Sequence, residues 1–230
     1  MYQNLFPIAI IDNFYPDPDT IRNFALNQEF EYSTNGGWPG KRTKDIIDLD
    51  KDLHDFFVKT VINVFYPMEF EYNCDLETSF QLIESRDSNQ YSAKNKGWLH
   101  HDAVIFGGVV YLTKDPEPNT GTSIYKPKKG HHQHKELWVK TKSEDYLKSS
   151  NLSEEEYEKI MNDQYSLFDE TVTVENVYNR CVLFGGNVIH GAKTFGTRKG
   201  KDARLTQAFF CHQLISPMDT FPLCRPYTAG

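Results

Sequence analysis

Cysteine is scarce and scattered. The four residues, Cys74, Cys181, Cys211 and Cys224, form no Cys-x-x-Cys pair, which argues for free thiols in a reducing compartment rather than a disulfide framework. No window approaches the ~18 consecutive apolar residues of a membrane-spanning helix. Residues 1–7 have neither the basic cluster nor the long apolar run of a secretory signal. Positive charge is also in deficit: 25 Lys and Arg stand against 32 Asp and Glu, a formal charge of −7. That balance argues against nonspecific nucleic-acid binding, the local basic patch Lys126-Pro127-Lys128-Lys129 notwithstanding. There is no internal repeat and no low-complexity linker. Together these absences predict a cytoplasmic protein with no membrane partner.

Aromatic residues, by contrast, are plentiful at 14%, enough to fill a core and biased toward strands. At 230 residues the chain suits one sheet-rich domain: helices over about 1–68, a β core over about 69–215 with a helical insertion near 150–163, and an irregular tail over 216–230.

Local patterns place the elements. Phe6–Asp12 reads as a buried strand, and Asp17-Pro18 as a helix start with Asp17 at the N-cap and Pro18 at the first helical position. Ile21, Phe24 and Ala25 then share a face, carrying the helix to about Gln28. The turn-rich stretch Gly36–Thr43 carries polar groups able to line a pocket but reads as a solvated loop. Leu53, Phe56, Phe57, Thr60, Val61 and Val64 make the apolar stripe of a second helix from Lys51 to Phe65, stopped by Pro67. Strands are expected at Glu77–Ile83, Trp98–Asp102, Gly107–Leu112, Thr122–Tyr125, Thr171–Val174, Arg180–Phe184 and Arg204–Leu214. Ser153 followed by Glu156 is a capping box that opens a short helix burying Tyr157, Ile160 and Met161.

The residues that carry chemistry lie in three separated stretches. On an extended strand alternate side chains share a face, so His100 and Asp102 point together while His101 points away. With the distant His190 they make a His/carboxylate/His set that caps one face of a metal octahedron and leaves other positions open. Arg204 follows 14 residues after His190 and begins an apolar strand, where it can grip a dicarboxylate. Arg198 is its rival, in a glycine-flanked loop. Trp98 is either a pocket wall or core. The cluster His131-His132-Gln133-His134 has no accompanying carboxylate or cysteine spacing and reads as a solvated loop, or a flap over the pocket.

These motifs resemble the prolyl-4-hydroxylase-like branch of the Fe(II)/2-oxoglutarate-dependent dioxygenases over roughly Glu77 to Leu214. His100-x-Asp102, His190 and Arg204-x-Thr206 match the family pattern. Val109-Val110-Tyr111-Leu112-Thr113 resembles the strand whose tyrosine meets the far carboxylate of 2-oxoglutarate. The resemblance implies a mainly β fold with flanking helices (α+β), built on a double-stranded β-helix, the jelly-roll or cupin-like core. It further implies that His100, Asp102 and His190 hold Fe(II) and that Arg204, Tyr111 and Thr206 bind 2-oxoglutarate. O2 would be the oxidant, ascorbate a reductant, and hydroxylation of a small molecule or peptide side chain the default outcome. The insert Gly196–Lys201 is longer than is common in that branch. The competing readings are a cupin-like barrel that binds a metal or ligand without oxygenase turnover, and a metal-dependent isomerase or hydrolase on the same scaffold. Neither needs a dicarboxylate clamp.

Overall fold

A computed structural model of the protein describes residues 8–34, 37–64, 73–128 and 153–215. The histidine cluster at 131–134 and the tail from 216 lie outside these residues. Two antiparallel sheets are formed. The larger uses β1 (Ile8–Ile11), β2 (Glu31–Tyr32), β3 (Lys41–Arg42), β4 (Asn73–Ile83), β5 (Phe106–Tyr111), β8 (Cys181–Gly185) and β10 (Arg204–Ile215), in the order β1-β8-β5-β10-β4-β3-β2. The smaller contains β6 (Thr122–Pro127), β7 (Phe168–Val174) and β9 (Ile189–Ala192), in the order β7-β6-β9. The crossing of chain order between sheets is that of a jelly-roll core.

Helices cover one face of the larger sheet. Helix α1 (Pro18–Leu26) starts as expected, with Asp17 accepting from Thr20 N and Pro18 inside the first turn. It ends two residues before Gln28. Asp50 caps α3 (Lys51–Asn63), which also stops short of its expected end; the four-residue α2 (Ile46–Leu49) precedes it and was not expected. The period-2 pattern of β10 explains what packs where. Leu205, Phe209 and Cys211 point to the helices and are fully buried, with Phe57 and Phe80 in the same cluster. The Phe57 and Phe209 rings meet edge-on, 5.1 Å between centroids. Arg204, Ala208 and Phe210, on the alternate face, line a cavity.

Helix α4 (Glu154–Ser166) has the expected reciprocal capping box between Ser153 and Glu156. At 13 residues it is longer than expected. It buries Tyr157 and Met161, with Ile160 half-buried. Three expectations fail. The first strand is not buried: β1 lies at the sheet edge and Ile10 is 48% exposed. Trp98–Asp102 is not a strand, since it makes only a one-residue bridge, His100 to His190. Residues 37–43 are not merely a solvated loop. Here β3 pairs with β4 through Lys41↔Leu82 and Arg42↔Gln81, which turns Trp38, Pro39 and Arg42 toward the cavity. Pairing across some forty residues leaves no local periodicity to read.

Candidate metal centre and cosubstrate pocket

The cavity, about 390 Å³, is floored by β4 and β10 and walled by the segment before β5 and by β9. His100, Asp102 and His190 each present a ligand atom to it, and these atoms all lie within 4.8 Å of one another. His100 Nε2 is 3.6 Å from Asp102 Oδ1, and His190 Nε2 is 3.5 Å from Asp102 Oδ2. His101 does not line the cavity.

Backbone geometry makes this convergence. His100 N donates to His190 O at 3.0 Å and His190 N returns the bond at 2.8 Å, so the two imidazoles are held side by side, 4.3 Å between centroids. Asp102 N donates to Gly186 O at 2.9 Å. Position 186 must be glycine, because a Cβ there would lie 1.9 Å from Val104 O. Both rings are anchored in the same way: His100 Nδ1 lies 2.8 Å from Trp98 O and His190 Nδ1 lies 2.9 Å from Val188 O. A carbonyl accepts only, so Nδ1 carries the proton in each neutral ring and Nε2 offers its lone pair to the cavity. Two imidazole nitrogens and a carboxylate with fixed tautomers are a donor set for Fe(II)-type metals, not for soft thiophilic ones.

Arg204 faces the same cavity and is 5% exposed. Its Nε donates to Thr120 O at 2.9 Å, and its guanidinium lies 5.6 Å from the centre of the Tyr111 ring. Burial pulls its pKa down, with Tyr111 opposing. Tyr111 itself is fully buried behind the lining and its hydroxyl donates to Thr122 Oγ1 at 2.8 Å. Thr122 itself lines the cavity. Thr206 is also fully buried, and its hydroxyl makes no hydrogen bond to any described residue. Thr206 lies two residues along β10 from Arg204, on the same face of the strand, though it is not part of the cavity lining; an orphan hydroxyl there and a buried guanidinium fit an anionic oxygen ligand. Arg198 does not line the cavity; it is 37% exposed and lies 4.0 Å from Glu117.

Sequence reasoning did not identify Glu77, Gln81 and Arg86 as lining residues and left Trp38 and Arg42 in a loop, whereas Phe210 lies on the Arg204 face that the alternation of β10 predicts. One signal was present. On β4 the alternation Leu76, Phe80 against Glu77, Gln81 puts polar side chains on the inner face of a buried strand, which is where a ligand pocket would be. Trp98 lines the cavity and also packs beside Tyr157, to whose hydroxyl its Nε1 donates at 3.1 Å.

A family profile matches residues 2–211. The chain belongs to the DUF6445 family. That family is described as one of unknown function. No curated protein matches the sequence. Among solved structures this DUF6445 chain is similar to HygX from Streptomyces hygroscopicus with nickel and 2-oxoglutarate bound, at 11% identity and a TM-score of 0.52, covering 90% of this chain and 82% of that one. HygX with iron bound aligns over the same shares at 12% identity and 0.52. A Pseudomonas putida prolyl-4-hydroxylase aligns at 15% identity and 0.47, over 90% of this chain and 93% of its own. The HygX likeness establishes a shared fold. No helix of the described residues is long and apolar enough to cross a membrane.

Proposed function

We propose that this protein is a non-haem Fe(II)- and 2-oxoglutarate-dependent oxygenase that hydroxylates a small metabolite or peptide side chain. The observation that carries the reading is the convergence of His100, Asp102 and His190 on one point of a cavity whose wall also holds the buried Arg204. The binding of iron, nickel and 2-oxoglutarate by HygX, a protein of the same fold, supports it.

His100, Asp102 and His190 would hold the metal on one face. Arg204 would neutralise the far carboxylate of 2-oxoglutarate, with the Thr206 hydroxyl donating to it. Tyr111 and the Thr120 carbonyl hold the guanidinium in place for that task. Together iron, 2-oxoglutarate and O2 supply the oxidation of a substrate C–H bond to C–OH, with succinate and CO2 as coproducts. The protein's part is to bind, orient and exclude bulk water, and the low-dielectric wall strengthens the guanidinium–carboxylate contact.

The test is succinate formation from 2-oxoglutarate with Fe(II) and ascorbate, alongside Co(II) titration followed by absorption. We expect one metal per chain, succinate above the metal-free blank, and loss of both in His100→Ala and in Asp102→Ala. Metal binding that survives both substitutions would overturn the reading.

A further inference from the structure

The cavity has a second cationic corner that the proposed metal and cosubstrate do not use. Arg42 reaches it from β3. In the larger sheet the order β8-β5-β10-β4-β3 sets Arg42 on the opposite flank from Asp102, whose backbone is tied to Gly186 beyond β8. Three strand spacings separate β5 from β3, about 14 Å at the usual ~4.8 Å per strand. Arg42 thus enters the cavity from the β3 side, with Asp102 among the carboxylates that act on its charge.

The Arg42 guanidinium lies over two aromatic rings, 4.7 Å from the Trp38 ring centre and 5.1 Å from that of Phe210. Burial brings its pKa down to about 10, with Glu77 and Asp102 opposing; it is charged at neutral pH. No carboxylate among the described residues comes within ion-pair distance of it: Glu77 instead faces His212 at 3.5 Å. The Nε–H of Arg42 is buried and makes no hydrogen bond to any described residue. The same holds for the indole Nε1–H of Trp38. Both groups donate and cannot accept. Two neighbouring buried donors without an acceptor among the described residues mark a place where an acceptor oxygen of a ligand would be bound. A metal held by Asp102 would also offset one of the two carboxylate charges that act on Arg42, leaving it in greater need of an anion.

We propose that Arg42 and Trp38 form the specificity site for a carboxylate or similar anionic oxygen group on the primary substrate. This rests on the oxygenase reading for the word substrate, but not for the anion site itself. Both rings lie within cation–π distance of the guanidinium, and its Nε–H is without an acceptor among the described residues; a planar carboxylate matches the N–H edge of a guanidinium. The indole N–H supplies a further donor. The cavity volume of about 390 Å³ is at the small end of ligand pockets, which suits an acid of amino-acid size.

The probes are N-acetylated amino acids with a free carboxylate, each paired with its carboxamide, and binding is followed by ligand-observed NMR. The protein is first loaded with Zn(II), which does not turn over, and with 2-oxoglutarate, so that the Arg204 corner is filled. A second series uses metal-free protein. We expect carboxylates to bind at least about tenfold more tightly than their amides, as a charge-assisted bond requires. Arg42→Gln should bring each pair to within about twofold, and Arg42→Lys should retain part of the preference. Equal binding of acid and amide by the wild type overturns the proposal, as does no binding of any acid, or a preference that survives Arg42→Gln. Loss of 2-oxoglutarate binding in Arg42→Gln overturns it too, by placing Arg42 in the cosubstrate site. Failure of Zn(II) or 2-oxoglutarate to bind the wild type counts instead against the oxygenase reading, and the metal-free series still decides the fate of Arg42.

Discussion

Replacing Arg204 with methionine keeps much of the side-chain volume and removes the charge. The guanidinium is 5% exposed and its Nε is engaged by Thr120 O at 2.9 Å, so a cosubstrate carboxylate would be met by the Nη groups. A charge-assisted contact of this kind contributes about 1.5–3 kcal/mol. A loss near 2.7 kcal/mol is about a hundredfold in Kd. With 2-oxoglutarate at about 100 times the wild-type Kd, binding stabilises the wild type by about 2.7 kcal/mol, against about 0.4 kcal/mol for a variant whose Kd has risen to the ligand concentration. For a chain of this size each kcal/mol moves Tm by about 2–4 °C. The 2-oxoglutarate-induced shift should therefore fall from about 5–11 °C to about 1–2 °C. Differential scanning calorimetry on the Zn(II)-loaded protein reads both, and each protein is compared with itself without ligand, so a change in intrinsic stability cancels. Arg198→Ala, outside the cavity, is the control and should keep the full shift. Equal losses in Arg198→Ala and Arg204→Met would falsify the assignment of the clamp.

Thr206→Val removes a buried hydroxyl that has no partner among the described residues. Without ligand its Tm should not fall, whereas its 2-oxoglutarate affinity should drop about fivefold, the equivalent of one hydrogen bond near 1 kcal/mol; a Tm loss with unchanged affinity reverses that reading. Gly186→Ala places a methyl 1.9 Å from Val104 O and 3.1 Å from Asp102 O, so the backbone that presents Asp102 must move. Metal affinity should weaken about tenfold or more, as when a ligand loses its supporting contacts, and an unchanged Co(II) titration would refute it. Glu117 accepts from Thr197 N at 2.8 Å and from Thr197 Oγ1 at 2.6 Å. Burial pushes its pKa up, but the Thr197 bonds and Arg198 outweigh this and the net position is below the ordinary 4.5. Its stabilisation is thus complete above about pH 4.5 and lost as pH falls through the lower folded value. The Tm gap between wild type and Glu117→Gln should be constant at neutral pH and close in acid; a gap that persists at pH 3 removes Glu117 as its source.

Local chemistry was legible where a single stretch of chain carries the whole instruction. Asp17 with Pro18, Asp50 before Leu53, and Ser153 with Glu156 each satisfy backbone N–H groups within one turn. Their helix starts can be read without knowing the fold. The alternation from Arg204 to Phe210 likewise separates a helix-facing set from a cavity-facing set in the sequence itself. Helix ends were less legible: α1 and α3 end at Asn27 and Val64 in plain αR caps, with no glycine to mark the stop.

What tertiary structure alone decided is which distant pieces share the cavity. Residues 98–102 have no ladder of their own, and their position comes from paired backbone bonds to His190 and from Gly186 admitting the chain next to Val104. The Tyr111 hydroxyl points to Thr122 because β5 and β6 lie in facing sheets, a relation that no spacing in the sequence encodes. Arg42 and Trp38 look like loop residues until β3 pairs with β4. Sequence supplies side-chain type and local period; the face toward which an edge segment turns depends on strand pairing between residues far apart, whose ordering cost is recovered only when the whole sheet forms.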